Sequence, residues 1–111
     1  FSLLQTMSDA YKIMQLQGES LGAFQSFYLA TLGAARALSL ETKLGNFDPG
    51  KEADFVVLDL QPTPLLALRN TARDITSLDQ LKDQLFGLMI LGDDRAIAAT
   101  YVAGNLAYEK Q

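Results

Sequence analysis

Two adjacent carboxylates, Asp93 and Asp94, are the residues of this chain whose spacing most directly suggests chemistry. A pair of acids can bind a cation, or it can divide the roles of general acid and general base. The surrounding sequence supports neither use, because no further oxygen ligands follow at the spacing of a calcium loop. We therefore predict a solvated turn in which Asp93 caps the segment that follows it.

Lys51 is a second candidate, because a buried lysine amine can act as a nucleophile. Its neighbour Glu52 favours a different interpretation, a solvated charged pair at the entry to a strand. The glycines could in principle cradle a phosphate, but they lack the spacing of a nucleotide-binding loop. We interpret four of them as turn residues, namely Gly45, Gly50, Gly92 and Gly104.

The chain contains no histidine and no cysteine. Its serines therefore have no imidazole base, which excludes a hydrolase triad of serine, histidine and aspartate. Zinc sites are built mainly from cysteine, histidine and well-placed carboxylates, so the chain by itself is not expected to hold a catalytic zinc ion. The sequence assigns no residue to catalysis, to cofactor binding or to metal binding.

The composition predicts one compact unit. Its 111 residues are 49% hydrophobic and 9% aromatic, which is enough for one core. The net charge of −4 comes from 9 basic and 13 acidic residues spread along the chain, without the basic face that binds phosphates. We expect neither nucleic acid nor membrane as a partner. The absence of cysteine and of a signal-like or membrane-spanning run favours a cytoplasmic protein.

Helical periodicity starts at Ser2, which is followed three residues later by glutamine, the spacing of a capping box. This helix should end near Gly18. A second helical region, residues 21–38, is apolar on nearly every side, and Thr31 and Gly33 should divide it into two helices with Thr31 capping the second. Since a helix without a polar face must be buried on several sides, we expect part of its cover to lie outside this chain.

A strand should follow the tight turn of residues 48–50 and cover residues 53–58. Its apolar residues do not alternate with polar ones, which predicts that both faces are covered. Pro62 and Pro64 should end the strand and start a connector that runs through Asn70.

The last third of the chain predicts a surface helix over about residues 77–91, capped at Ser77, and then a hairpin. The hairpin strands should be residues 97–102 and 106–109, joined by a tight turn at Gly104-Asn105. Three strands make a marginal sheet unless other strands or helices cover it.

Two runs closely resemble the C-terminal signature of the amidohydrolase superfamily: Ala-Thr-Leu-Gly-Ala-Ala-Arg-Ala-Leu at 30–38, and Leu-Gly-Asn-Phe-Asp-Pro-Gly-Lys-Glu-Ala-Asp-Phe-Val-Val-Leu-Asp at 44–59. Within that superfamily the chain is most similar to bacterial guanine deaminases. The segments that carry this closer similarity are residues 1–4, 7–12, 27–29, 91–95 and 100–105. The resemblance covers nearly the whole chain.

The resemblance implies a two-part architecture. In the family, a distorted (β/α)₈ barrel holds a zinc ion through histidines and an aspartate, and a small β-sandwich is assembled from both chain ends. This chain would then be an α+β fragment. Residues 1–43 would supply terminal helices of the barrel, and residues 44–111 would supply the C-terminal part of the composite β-sandwich together with the surface helix. Because the chain begins at Phe1 rather than at a methionine, we also expect it to belong to a longer polypeptide.

The resemblance also implies a reaction in purine catabolism, in which guanine and water give xanthine and ammonia. A zinc-bound water attacks the purine carbon while carboxylates move protons. The family's metal-binding aspartate lies in a Gly-Thr-Asp motif that would fall just upstream of Phe1. This chain alone is therefore expected to be structural and inactive. Guanine would be the substrate of the complete protein, which the family resemblance implies to be a homodimer.

Two alternatives remain open at this point. The complete protein could be another aminohydrolase of the same superfamily, acting on 8-oxoguanine, an adenosine derivative or a triazine, because the signature around residues 44–59 is widely shared. The chain could also be a free-standing interaction domain that buries its apolar helix against itself or against a partner.

Overall fold

The computed structural model describes residues 1–71 and 74–111 of the chain. These residues form an α+β arrangement, as the sequence predicts. In chain order its elements are α1 (Leu3–Leu16), α2 (Ala23–Ala30), α3 (Leu32–Ala37), β1 (Phe55–Leu58), α4 (Pro64–Arg69), α5 (Leu78–Leu91), a 3₁₀ turn (Asp94–Ala96), β2 (Ile97–Val102) and β3 (Asn105–Glu109).

Helix α1 begins at the predicted cap. Ser2 has extended backbone angles, and its hydroxyl oxygen accepts a hydrogen bond from the backbone N–H of Gln5 at 3.5 Å. This bond satisfies one of the backbone donors that the first turn of a helix leaves free. The helix then buries Leu4 and Met7 in the core, and the hydroxyl of Ser8 donates to a backbone carbonyl of α5.

The predicted break between α2 and α3 is confirmed at Thr31, but the capping function predicted for this residue is wrong. Its hydroxyl donates backward to the carbonyl of Phe27 at 2.7 Å, and it makes no capping bond to the N-terminus of α3. The backbone of Thr31 leaves the helical region, with φ −126° and ψ −100°. The side chain therefore satisfies a carbonyl at the end of α2, which is the other set of groups that a helix terminus leaves free.

The connector predicted between Pro64 and Asn70 is wrong, because a short helix, α4, occupies it. Thr63 is its N-cap and accepts from the N–H of Leu66 at 3.2 Å. Pro64 takes the first helical position, where the N–H that proline lacks would be unbonded in any case. The sequence signal for this helix is the threonine-proline pair, since proline can start a helix as well as end a strand.

Helix α5 confirms the predicted helix and lies at the centre of the fold. Its cap is Ser77, whose hydroxyl oxygen accepts from the N–H of Gln80 at 3.2 Å. The first half of α5 is mostly exposed, in agreement with a surface helix. The second half is buried against α1, α2 and α4, and Leu88 and Met89 are fully buried. The core cluster around them consists of Leu4, Met7, Leu66, Leu88, Met89 and Ala96.

Helix α5 approaches the end of α4 closely at Gly87. A Cβ at this position would lie 2.6 Å from the Oδ1 of Asn70 and 3.2 Å from the Cγ of Arg69. Asn70 cannot move away easily, because it is buried and its Nδ2 donates to the carbonyls of Leu60 at 2.9 Å and of Gln84 at 3.3 Å. Only glycine fits at position 87 without displacing this buried amide.

We expect Gly87→Ala to lower the free energy of unfolding of the complete gene product by about 1–3 kcal/mol, since it overpacks a buried contact. Alanine is by itself the better helix former, so a loss of stability would have to come from the contact. Gly22→Ala is the matched control, because nothing lies within 4 Å of its added Cβ, and it should change stability by less than about 1 kcal/mol. Urea denaturation measures both, and equal effects of the two variants would contradict the packing explanation.

The three strands form an antiparallel sheet in the order β1-β2-β3. The predicted strands and hairpin are confirmed, although β1 begins at Phe55, two residues later than predicted, and the turn lies one residue earlier than expected. Its two central residues are Ala103 and Gly104, with φ 49° and 77°. A two-residue hairpin turn of type I′ requires positive φ at both of these positions. Asn105 already belongs to β3, and its side-chain amide donates to the carbonyl of Ala103.

The hairpin turn is held by the segment that enters β1. The Oδ1 atom of Asp54 accepts from the N–H of Ala103 at 2.7 Å, and the carbonyl of Ala53 accepts from the N–H of Gly104 at 3.0 Å. These bonds connect the middle of the chain to a turn about fifty residues later. They stabilise a backbone conformation that alanine adopts only at some energetic cost.

We expect Asp54→Ala to destabilise the complete gene product by roughly 1 kcal/mol, because the N–H of Ala103 loses its acceptor. Asp54→Asn keeps an oxygen at the same place and should lose clearly less. Urea denaturation of the two variants beside the wild type tests this. If asparagine proves as damaging as alanine, the hydrogen bond to the turn is not what Asp54 contributes.

The prediction that both faces of β1 are covered is wrong within this chain. Val56 and Val57 are 48% and 44% exposed, and Phe55 and Leu58 are only partly buried. Strand β1 has a described neighbour on one edge, β2. The described part of the chain therefore leaves apolar strand surface in contact with solvent.

Candidate functional site

Asp93 performs the capping role that the sequence predicts. Its Oδ1 atom accepts from the backbone N–H of Arg95 at 3.0 Å, and both carboxylate oxygens accept from the guanidinium of Arg95 at 2.8 to 3.1 Å. The Arg95 guanidinium and this backbone bond hold the pKa of Asp93 below its usual value of 3.8. Asp93 is thus committed to a local ion pair, while Asp94 is exposed. The two acids do not converge on one site.

Asp93→Asn should reduce stability at neutral pH by about 1 kcal/mol or less, because Arg95 is exposed and solvent screens the pair. Since the folded protein depresses the pKa of Asp93, the advantage of the wild type is present above pH 3.8. This advantage is lost as the pH falls through the lowered pKa. Urea midpoints of both proteins over a descending pH series test the sign. A difference that persists at the lowest pH would contradict it.

The sequence predicts that Lys51 forms a solvated charged pair with Glu52, but in the structure its partner is Asp48. The Lys51 side chain is only 12% exposed, and its Nζ lies 3.6 Å from the Oδ2 of Asp48. The reason is the Pro-Gly turn, which brings Lys51 back over Asp48 and joins them also through a backbone hydrogen bond of 3.2 Å. This lysine stabilises a turn, and its ammonium has an anionic partner.

The prediction of turn glycines is confirmed for Gly50 and Gly104, whereas Gly92 has an extended backbone. Gly50 has φ +91° in the turn that the Pro-Gly sequence predicts. Gly45 has φ +104°, and a Cβ there would lie 2.8 Å from the Cβ of Ala35 on α3. Gly92 ends α5, with φ −83°.

The residues of this chain do not fit a zinc site. Among residues 1–71 and 74–111, no three side chains of the metal-binding types histidine, cysteine, aspartate and glutamate come together, and the sequence lacks the first two types altogether. Isolated carboxylates do not supply the donor set that a catalytic zinc ion requires. In the same described ranges, no helix has the length and apolar character needed to cross a membrane.

An apolar groove of about 670 Å³ lies between the helices and the sheet, and we call it the helix–sheet groove. Residues from α1, α2, α3, the loop 44–47, β1 and β2 line it. Leu4 and Met7 belong both to this lining and to the core cluster. The floor of the groove is therefore the edge of the hydrophobic core.

Three aromatic rings form the sheet side of the groove. Phe55 and Tyr101 are directly paired across β1 and β2 and are stacked, with ring centroids 4.5 Å apart and an angle of 10° between the rings. Phe47 packs against Phe55 at 5.7 Å. Phe47 is nevertheless 81% exposed, so this stack has one open end.

Comparison with known proteins identifies the family. The family model described as "Amidohydrolase family" matches residues 1–107. The chain belongs to the amidohydrolase family. The two signature runs that resemble this family are the segment around α3 and the turn that leads into β1. Residues from both runs line the helix–sheet groove.

The similar amidohydrolases include proteins named guanine deaminase. The guanine deaminase of Escherichia coli (strain K12) is 53% identical over 110 residues, which cover 99% of this chain and 24% of that protein. A solved structure of E. coli guanine deaminase superimposes with a TM-score of 0.88, covering 98% of this chain and 24% of that one. The crystal structure of guanine deaminase from Bradyrhizobium japonicum has a TM-score of 0.86 at 32% identity, covering 98% of this chain and 28% of that one.

The chain thus spans about a quarter of the length of the relatives that it matches. The match runs along nearly all of the chain, so helices and sheet together correspond to one stretch of each relative. Sequence reasoning did not locate the helix–sheet groove. The sequence contains two indirect signals of it: a helix without a polar face, and a strand whose apolar residues do not alternate with polar ones. Both patterns predict burial on several sides, which 111 residues do not provide.

Proposed function

We propose that the complete gene product is a guanine deaminase, which converts guanine and water to xanthine and ammonia as part of purine catabolism. The observation that carries this proposal is the identity to the E. coli guanine deaminase along almost the entire chain. The fold agrees with it, because two proteins named guanine deaminase superimpose on the same elements.

In this proposal the chain is a structural portion of the enzyme. Residues 1–43 supply terminal helices of a (β/α)₈ barrel, and residues 44–111 supply strands of a composite β-sandwich together with α5. The exposed valines of β1 and the open aromatic stack support this role, since such apolar surface is expected where a larger protein continues. The complete enzyme is proposed to be a cytoplasmic homodimer.

The zinc ion that the family resemblance implies would be held by residues outside this chain. The donor types argue for this, because the chain has neither histidine nor cysteine and its described carboxylates do not cluster. No step of the chemistry is assigned to a residue of this chain. Its contribution is to complete the fold that holds the reacting groups in place.

The test is ammonia release from guanine, measured in parallel on the complete gene product and on the 111-residue chain. We expect release by the complete product and none by the chain alone, since the sequence has no histidine or cysteine and the carboxylates that the structure describes do not cluster. Release by the chain alone would show that it contains a catalytic set that its residue types do not suggest.

A substrate panel separates the proposal from its alternative within the same family. Guanine should be the preferred substrate of the complete product over 8-oxoguanine, adenosine derivatives and triazines. A preference for any of these others would replace the proposed function with another aminohydrolase activity. The interaction-domain alternative would gain support if the chain were a well-folded, monodisperse monomer in light scattering and the complete product released no ammonia from any of them.

A further inference from the structure

We draw no further inference here: the strongest candidate, the exposed apolar surface that Leu65 and Leu68 give to α4 outside the helix–sheet groove, carries none because nothing in the structure shows what covers it.

Discussion

Burial of the second half of α5 is the constraint on which the described fold depends. Leu88 and Met89 are removed from solvent by α1 and α4, and the adjoining Gly87 lets α5 approach the buried amide of Asn70. Hydrophobic burial of this kind is the main favourable term in folding, and it is not directional. The specific arrangement of the helices comes from close packing of their side chains, which a single added methyl group at Gly87 would disturb.

The sheet depends on this core less directly. It is connected to the helical part through Leu58 and Leu60, which pack on the core cluster, whereas Asp54 fixes the hairpin turn within the sheet. Beside this connection lies the helix–sheet groove, where the open Phe47-Phe55-Tyr101 stack faces solvent. A small chain has a large surface relative to its volume, so it cannot enclose all of its apolar residues. Membership in a family of much longer proteins gives this incomplete enclosure a physical explanation.

Much of the local structure could be predicted from the sequence. The caps at Ser2 and Ser77 and the turn at Gly50 are in place, because each is decided by hydrogen bonds or dihedral preferences within a few residues. Helix α4 was missed because the same proline can break a strand or start a helix, and Thr63 decided between the two. As for the site, the capping role of Asp93 was predictable from the turn sequence around it.

The sequence by itself determined where most helices and strands begin and end, and it determined that the chain carries no histidine or cysteine for a zinc site. Only the tertiary structure decided that α5 is central in its second half and exposed in its first, and that a groove separates helices from sheet. The physical reason is the distance along the chain over which each kind of interaction acts. Caps and turns are local interactions, whereas burial depends on which distant segments pack together, and the pattern of one segment does not contain that information.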